Sequence, residues 1–342
     1  MVERLIIVGA TGKVGSTFFR ILDERKILKF NHIYALASSR SSGSIVGFGS
    51  DKIAVKNIDE FQFKKGDLVL MSAGSDVSKK YAPIITDCGG FLIDNSSHFR
   101  TDYDIPLIVP EVNGDDIFKI SSRKIVANPN CVAIQCCLPL DILNKYQKIT
   151  NIVCSTYQST SGAGRVAMNE LFERSKSLFQ GVESRGNAKQ SKYPKDISFN
   201  CIPQIGKFDE NGNTDEEVKI AREMIKILNT QANIAVTCVR VPVFNCHGVS
   251  LFVEFEEEVD EEEVFELLGE GHNGLVLLDR RQDGGYMTQS ECSSSDNVFV
   301  SRLRYGYNKK SLMMWVVADN IRKGAALNAI QIAELLQEKN II

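Results

Sequence analysis

A doubly wound parallel α/β sheet followed by an α+β domain with a mixed sheet is what the sequence predicts, on three observations. Leu5-Ile-Ile-Val8 is a short continuous apolar run, as a strand buried on both faces needs, and it stops at Gly9. Further apolar runs return at 32–37, 67–73, 90–93 and 106–112 with helical or loop material between them, the alternation of a parallel α/β sheet. After Asn128-Pro-Asn-Cys131 the rhythm shifts to longer strand-like runs at 151–158, 235–243 and 249–256, which reads as a second, α+β domain.

The chain of 342 residues exceeds one ordinary domain. Its expected division is residues 1–131 as a nucleotide-binding domain completed by a C-terminal helix at 322–342, and 132–321 as the second domain. Hydrophobic residues make up 43% and charged residues 24%, which excludes a disordered or fibrous chain. Forty Lys+Arg against 43 Asp+Glu leave a net charge of -3, too balanced for the basic face that nucleic acid or an anionic membrane requires. No apolar run approaches the ~20 residues of a bilayer span, and Glu3 and Arg4 do not introduce a signal peptide. Nine cysteines without C-x-x-C pairs fit a reducing cytoplasm.

Residues 14–25 carry a helical pattern, as do 132–145. The stretch 165–203 is polar, helical in its first half, and open between a partner-subunit contact and solvent. Asp260 with Glu263, and Thr214 with Glu217, stand at capping-box spacing and open helices. Trp315 to Ala318 is a last strand, followed by a helix over 322–338 whose Ala325, Ala326, Ala329 and Ala333 permit close packing.

Gly9-x-x-Gly12-x-x-Gly15, directly after a buried strand and opening a helix, is the Rossmann context in which a backbone approaches a pyrophosphate and a helix N-terminus receives it. A tight turn without a ligand is the plainer alternative. At the end of the second strand, where NAD-binding chains place a carboxylate, the sequence reads Ala37-Ser38-Ser-Arg40-Ser41, and hydroxyls with a guanidinium suit the 2′-phosphate of NADP.

Cys131 stands immediately before a helix, where the first-turn N–H groups and the dipole stabilise a thiolate. A small buried cap residue explains it equally well by spacing alone. With only four histidines the choice of a base is narrow, and a loop at the end of the 237–243 run could present both Arg240 and His247 to one cleft. Cys246 and His247 lack the spaced ligand pairs of a zinc site, so no metal is expected. Glu217 is assigned to the cap, which leaves Glu216 and Lys219 on another face, by spacing a solvated ion pair. Arg100 ends a polar loop and is either an anion ligand or a surface residue.

Taken together, GATGKVG (9–15), SSRSSG (38–43), SAG (72–74), IDNSSHFR (93–100), VPEVN (109–113), NPNC (128–131), STYQSTSGAG (155–164), TDEEVK (214–219), CVRVPVFNCH (238–247) and WVVADNIRKGAALNAIQIAE (315–334) resemble the aspartate-β-semialdehyde dehydrogenase family. The resemblance runs nearly end to end. It implies an NADP-binding Rossmann domain, a catalytic and dimerisation domain, and reductive dephosphorylation of 4-phospho-L-aspartate to aspartate semialdehyde and phosphate, serving lysine, diaminopimelate, threonine and methionine biosynthesis. By the same resemblance Cys131 is the nucleophile, His247 the acid/base, and Gln158 the group that orients the carbonyl. Arg240 then meets the substrate carboxylate and Glu216 its ammonium, Arg100 and Lys219 form the phosphate site, and Asn130 belongs to the substrate site. Gly9, Thr11, Gly12, Lys13, Val14, Ser38, Arg40, Ser41, Ser161, Gly162 and Asn320 correspond to the cofactor site. The implied assembly is a homodimer, with a tetramer as the alternative. The chain departs from the family pattern at Val132-Ala133, at Gly248, and in the lysine missing near the end of 41–44. Two other readings remain at this level: an N-acetyl-γ-glutamyl-phosphate reductase, whose substrate offers Glu216 no cation, and a non-catalytic NADP-binding sensor.

Overall fold

The computed structural model describes residues 1–181 and 191–342; residues 182–190, inside the polar stretch 165–203, lie outside the described residues. The elements in chain order are β1 (Val2–Val8), α1 (Lys13–Arg25), β2 (Phe30–Ala37), β3 (Ile45–Phe48), β4 (Asp51–Asn57), β5 (Asp67–Met71), α2 (Ser75–Asp87), β6 (Phe91–Asp94), α3 (Pro110–Asn113), β7 (Ile125–Ala127) and α4 (Cys131–Tyr146). Then follow β8 (Ile149–Gln158), α5 (Arg165–Phe179), α6 (Asp215–Leu228), β9 (Asn233–Arg240), β10 (His247–Phe255), α7 (Glu261–Gly269), β11 (Leu275–Leu277), β12 (Val298–Tyr305), β13 (Ser311–Ala318) and α8 (Leu327–Glu338). Two units result: Met1–Cys131 with Gly324–Ile342, and Val132–Lys323.

In the first unit the strand order is β3-β4-β2-β1-β5-β6-β7. Every pair is parallel except the β3–β4 hairpin at one edge. β1 is the centre because Leu5 to Val8 have no exposed surface to speak of, and the chain leaves it first toward β2 and later toward β5. That reversal is the topological switch point where such sheets bind ligands, at the carboxyl ends of the strands. α1 packs Phe18, Phe19, Ile21 and Leu22 into the same core as Ala329, Ile330 and Ala333 of α8, and Arg25 adds a two-pronged bond to Glu334 at 2.9 and 2.7 Å.

The second unit is a six-stranded mixed sheet in the order β11-β12-β13-β10-β8-β9. Its central pairs are antiparallel and its edge pairs β8–β9 and β11–β12 parallel. α4 is apolar nearly all round and buried from Val132 to Leu140, so Val132 and Ala133 are core residues. Gln135, fully buried among them, donates to the carbonyls of His247 (3.3 Å) and Val316 (3.4 Å), which pins the helix to β10 and β13.

Three sequence expectations need correction. The apolar run 106–112 is not a strand: Leu107, Ile108 and Val109 are buried, but only Leu107 bridges to β7, and Pro110 at the first helical position turns the chain into α3. The β3–β4 hairpin and strands β7, β11 and β12 add to the strands that the apolar runs mark. Asp260 caps α7 through the N–H groups of Glu262 and Glu263, yet the Glu263 carboxylate takes the Tyr146 hydroxyl at 2.6 Å instead of closing a box. The last helix opens with a π turn over Arg322–Ala326 before α8 begins.

Candidate active site

At the carboxyl ends of the first unit's strands the chain is shaped by backbone. Gly9 has φ +79°, and a Cβ there would lie 2.2 Å from the Ser72 carbonyl oxygen; a Cβ on Gly15 would lie 2.0 Å from the Gly9 oxygen. The turn therefore needs glycine at both places, and it leaves Gly12 and Lys13 exposed. α1 has no side-chain cap and no acidic residue in its first turn, an arrangement that suits a phosphate. Thr11 and Val14 are half-buried beside it. Ser38 and Arg40 are exposed at the end of β2, where a 3₁₀ turn at Ser39–Ser41 follows the strand and no carboxylate stands.

At the end of β6, Asp94 is buried and satisfied by the hydroxyls of Ser78 (2.7 Å) and Ser96 (2.6 Å) and the Ser96 N–H. This folds the loop so that Arg100 donates to the Asn95 carbonyl at 2.8 Å. The Asn95 amide is enclosed with neither side-chain atom bonded. Asn130 is buried, and Cys131, half-buried, is the first residue of α4. By contrast burial pushes the thiols of Cys137 and Cys238 up, away from reactivity. Outside the buried set, Cys88 is half-buried and Cys201 is exposed.

In the second unit, strand register does the assembling. Arg240 on β9 pairs with Gln158 on β8, and Gln158 with His247 on β10. Residues so paired share a face, so three side chains that span 158 to 247 in sequence form one row, and all three are buried. Gln158 accepts the Thr156 hydroxyl at 3.0 Å and donates to Glu216 at 3.4 Å. Glu216 arrives there because Thr214 and Glu217 close a full capping box on α6 and Glu217 also takes the Cys238 N–H at 2.9 Å, tying α6 to β9. Arg240 donates to the Ser159 carbonyl at 2.6 Å. The structure separates Glu216 from Lys219: Lys219 pairs with Asp215 at 2.9 Å, one helical turn back.

His247 is fully enclosed; burial and the Arg240 charge push its pKa down to about 3. Its Nδ1 accepts the Ser159 N–H at 3.0 Å, while Nε2 has no partner. Facing it is Gly162, where a Cβ would lie 3.3 Å from Nε2 and 3.2 Å from an Arg240 nitrogen. Ser161 and Asn320 are buried and bonded to each other at 3.0 Å. Gly248, a departure from the expected pattern, lies under the Trp315 ring, where a Cβ would come within 2.3 Å. Sequence reasoning missed Ser159 and Thr156. Thr156 was detectable as the same-face neighbour of Gln158 on β8, whereas nothing in spacing points to Ser159.

A Rossmann-type glycine turn and a buried Arg-Gln-His row fit an oxidoreductase of the nicotinamide-dependent class. Family models agree: residues 4–120 match the semialdehyde dehydrogenase NAD binding domain and 140–323 the semialdehyde dehydrogenase dimerisation domain. The aspartate-semialdehyde dehydrogenase of Rickettsia bellii is 42% identical over 333 residues, 97% of each chain. That of Aquifex aeolicus is 42% identical over 342 residues, 99% of each. The crystal structure of aspartate semialdehyde dehydrogenase II from Vibrio cholerae superposes with a TM-score of 0.94 at 40% identity, covering 99% of both chains, and a second structure of it, complexed with ASA, gives 0.93. The chain belongs to the aspartate-semialdehyde dehydrogenase family. Among the described residues no helix is long and apolar enough to cross a membrane, and no group of three or more His, Cys, Asp or Glu side chains is placed to hold a metal ion.

Proposed function

We propose that this protein reduces 4-phospho-L-aspartate to L-aspartate 4-semialdehyde and phosphate with NADPH, in the cytoplasm. The observation that carries the reading is the buried row of Arg240, Gln158 and His247 with Glu216 bonded to it. An amino acid has one carboxylate and one ammonium, and Arg240 and Glu216 offer one countercharge to each. Residues 1–131 with 322–342 hold the cofactor, and 132–321 carry catalysis and dimerisation. The Cys131 thiolate attacks the acyl-phosphate carbonyl, the carbon–oxygen bond to phosphate breaks, and a thioester forms. Gln158 orients that carbonyl, His247 manages the protons of the thiol and the reduced adduct, and the carbon–sulfur bond then breaks to release the aldehyde. Arg100, Lys219 and Asn130 receive the phosphoryl group and the substrate.

The bound nicotinamide supplies the hydride. Gly9, Thr11, Gly12, Lys13 and Val14 hold its pyrophosphate, Ser38, Arg40 and Ser41 the 2′-phosphate, and Ser161, Gly162 and Asn320 lie toward the nicotinamide. The absent carboxylate after β2 supports NADP over NAD. A homodimer is supported by the outer face of the mixed sheet, where Val153 is 48% exposed and Tyr157 packs edge-on against Trp315.

The test is NADPH formation from NADP and L-aspartate semialdehyde, with and without phosphate, beside N-acetylglutamate semialdehyde. Turnover of the free amino acid that depends on phosphate is the expected result. Turnover of the acetylated compound alone rejects the substrate, and turnover indifferent to phosphate rejects the thioester route.

A further inference from the structure

The buried row of the second unit continues past Arg240. Ile202 lies opposite Arg240 in an antiparallel bridge at the free edge of β9: the Ile202 N–H donates to the Arg240 carbonyl at 2.9 Å and the Arg240 N–H to the Ile202 carbonyl at 2.8 Å. Residues so paired put their side chains on one face. Ile202 therefore stands beside Arg240 on the face that carries Gln158 and His247. The side chains of Ala167, Leu171, Tyr193, Ile197 and Ile202 form one buried cluster, so the segment 191–202 borders the row on its Arg240 side.

Tyr193 is the member of that cluster with a polar end. It is 8% exposed, and its hydroxyl has no hydrogen-bond partner among the described residues. Burial pushes the phenol up to about 12, against the Arg240 charge, which draws it down. At neutral pH the hydroxyl keeps its proton and can donate. The backbone on both sides is fastened to α5. Glu170 accepts the Ser191 hydroxyl at 2.5 Å and the Lys192 N–H at 2.8 Å, and Arg174 joins Glu170 at 2.9 Å to Asp196 at 3.3 Å. An enclosed hydroxyl on a tethered segment gives up its hydration without return unless a ligand supplies the acceptor.

We propose that the Tyr193 hydroxyl binds the substrate, donating a hydrogen bond to the α-carboxylate that Arg240 meets, and so selects for aldehydes that carry this carboxylate. The proposal rests on the function given above and adds a residue to it. A group that lies between a guanidinium and a phenolic O–H has to accept from both, which the two oxygens of a carboxylate do and an ammonium cannot. The ammonium falls to the other flank of Arg240, where Gln158 is paired with it and Glu216 is bonded to Gln158. The polar stretch 165–203 then serves the substrate site through residues 191–202.

Tyr193→Phe keeps the ring in its cluster and removes only the hydroxyl. In steady-state assays beside wild type, KM for L-aspartate semialdehyde should rise about tenfold, with KM for NADP and for phosphate within about twofold. Two truncated aldehydes locate the contact. Succinate semialdehyde keeps the carboxylate without the ammonium and should show the same ratio between variant and wild type. 3-Aminopropanal keeps the ammonium without the carboxylate and should show no difference. Each is followed as a substrate or, where turnover is too slow, as a competitive inhibitor. An unchanged KM for aspartate semialdehyde overturns the proposal, as does an equal penalty for 3-aminopropanal or none for succinate semialdehyde. A lower urea midpoint for the ligand-free variant also overturns it, because a hydroxyl without a partner in the fold has no bond to lose. Wild-type protein that does not turn over aspartate semialdehyde rejects the function and this contact with it, whereas wild-type turnover with an indifferent Tyr193→Phe rejects the contact alone.

Discussion

The glycine turn of the first unit and the polar row of the second solve different problems with different parts. The turn is made of backbone: Gly9 and Gly15 are there because no Cβ fits, and the groups it offers are main-chain N–H donors near exposed Lys13. The row is made of buried side chains, each held by another, with Thr156 and Glu216 on Gln158 and Ser159 on both Arg240 and His247. A phosphate has several equivalent oxygens and tolerates a cradle of generic donors. A carbonyl under attack needs one proton at one place, and that takes rotamers fixed by neighbours.

The comparison breaks most sharply at Cys131. Cys131→Ser should reduce kcat on the order of 10⁴-fold or more, while the dissociation constant of NADPH, followed by fluorescence titration, stays unchanged. A parallel loss of cofactor binding would mean that the two regions are not independent. On the nucleotide side, Gly15→Ala puts a methyl 2.0 Å from the Gly9 oxygen; we expect a loss of roughly 3 kcal/mol in urea unfolding together with lost cofactor binding.

The turn was legible in the sequence because its signal is local: three glycines, a strand before and a helix after. The row was not legible from spacing, since Gln158, Arg240 and His247 meet only through the registers β9–β8–β10, and register is not written in any short stretch. Family resemblance named these residues, but it gave no reason for Ser159, whose contribution is a main-chain N–H and a hydroxyl aimed at one nitrogen. Glu216 and Lys219 show the reverse, for helical spacing put them together and Asp215 claimed the lysine. In the fold, continuous apolar runs marked β1, β5 and β6. The buried run at 106–112 misled because burial, not pairing, makes it apolar.

Acid sharpens the contrast. The folded-state pKa of His247, about 3, lies below the ordinary 6.5, so the unfolded chain takes the proton first. The stabilisation is intact above pH 6.5 and is lost as pH falls toward 3. Between pH 7 and 5 wild type should lose about 2 kcal/mol more than His247→Gln in urea titrations, and equal losses would show the ring is not held neutral. The smallest effect belongs to the exposed end of β2: Arg40→Ala should raise KM for NADP about tenfold and leave that for NAD unchanged. Equal effects on both would reassign the 2′-phosphate site.

The central claim, that Cys131 alone carries the acyl group, is tested most directly by trapping it. Wild-type protein mixed with L-aspartate semialdehyde and NADP without phosphate, quenched in acid and digested, should show an aspartyl adduct in the peptide 125–145. Fragmentation should place the adduct on Cys131, not Cys136 or Cys137, and added phosphate should remove it. An adduct on any other of the nine cysteines, or NADPH formed with no adduct at all, would contradict the account.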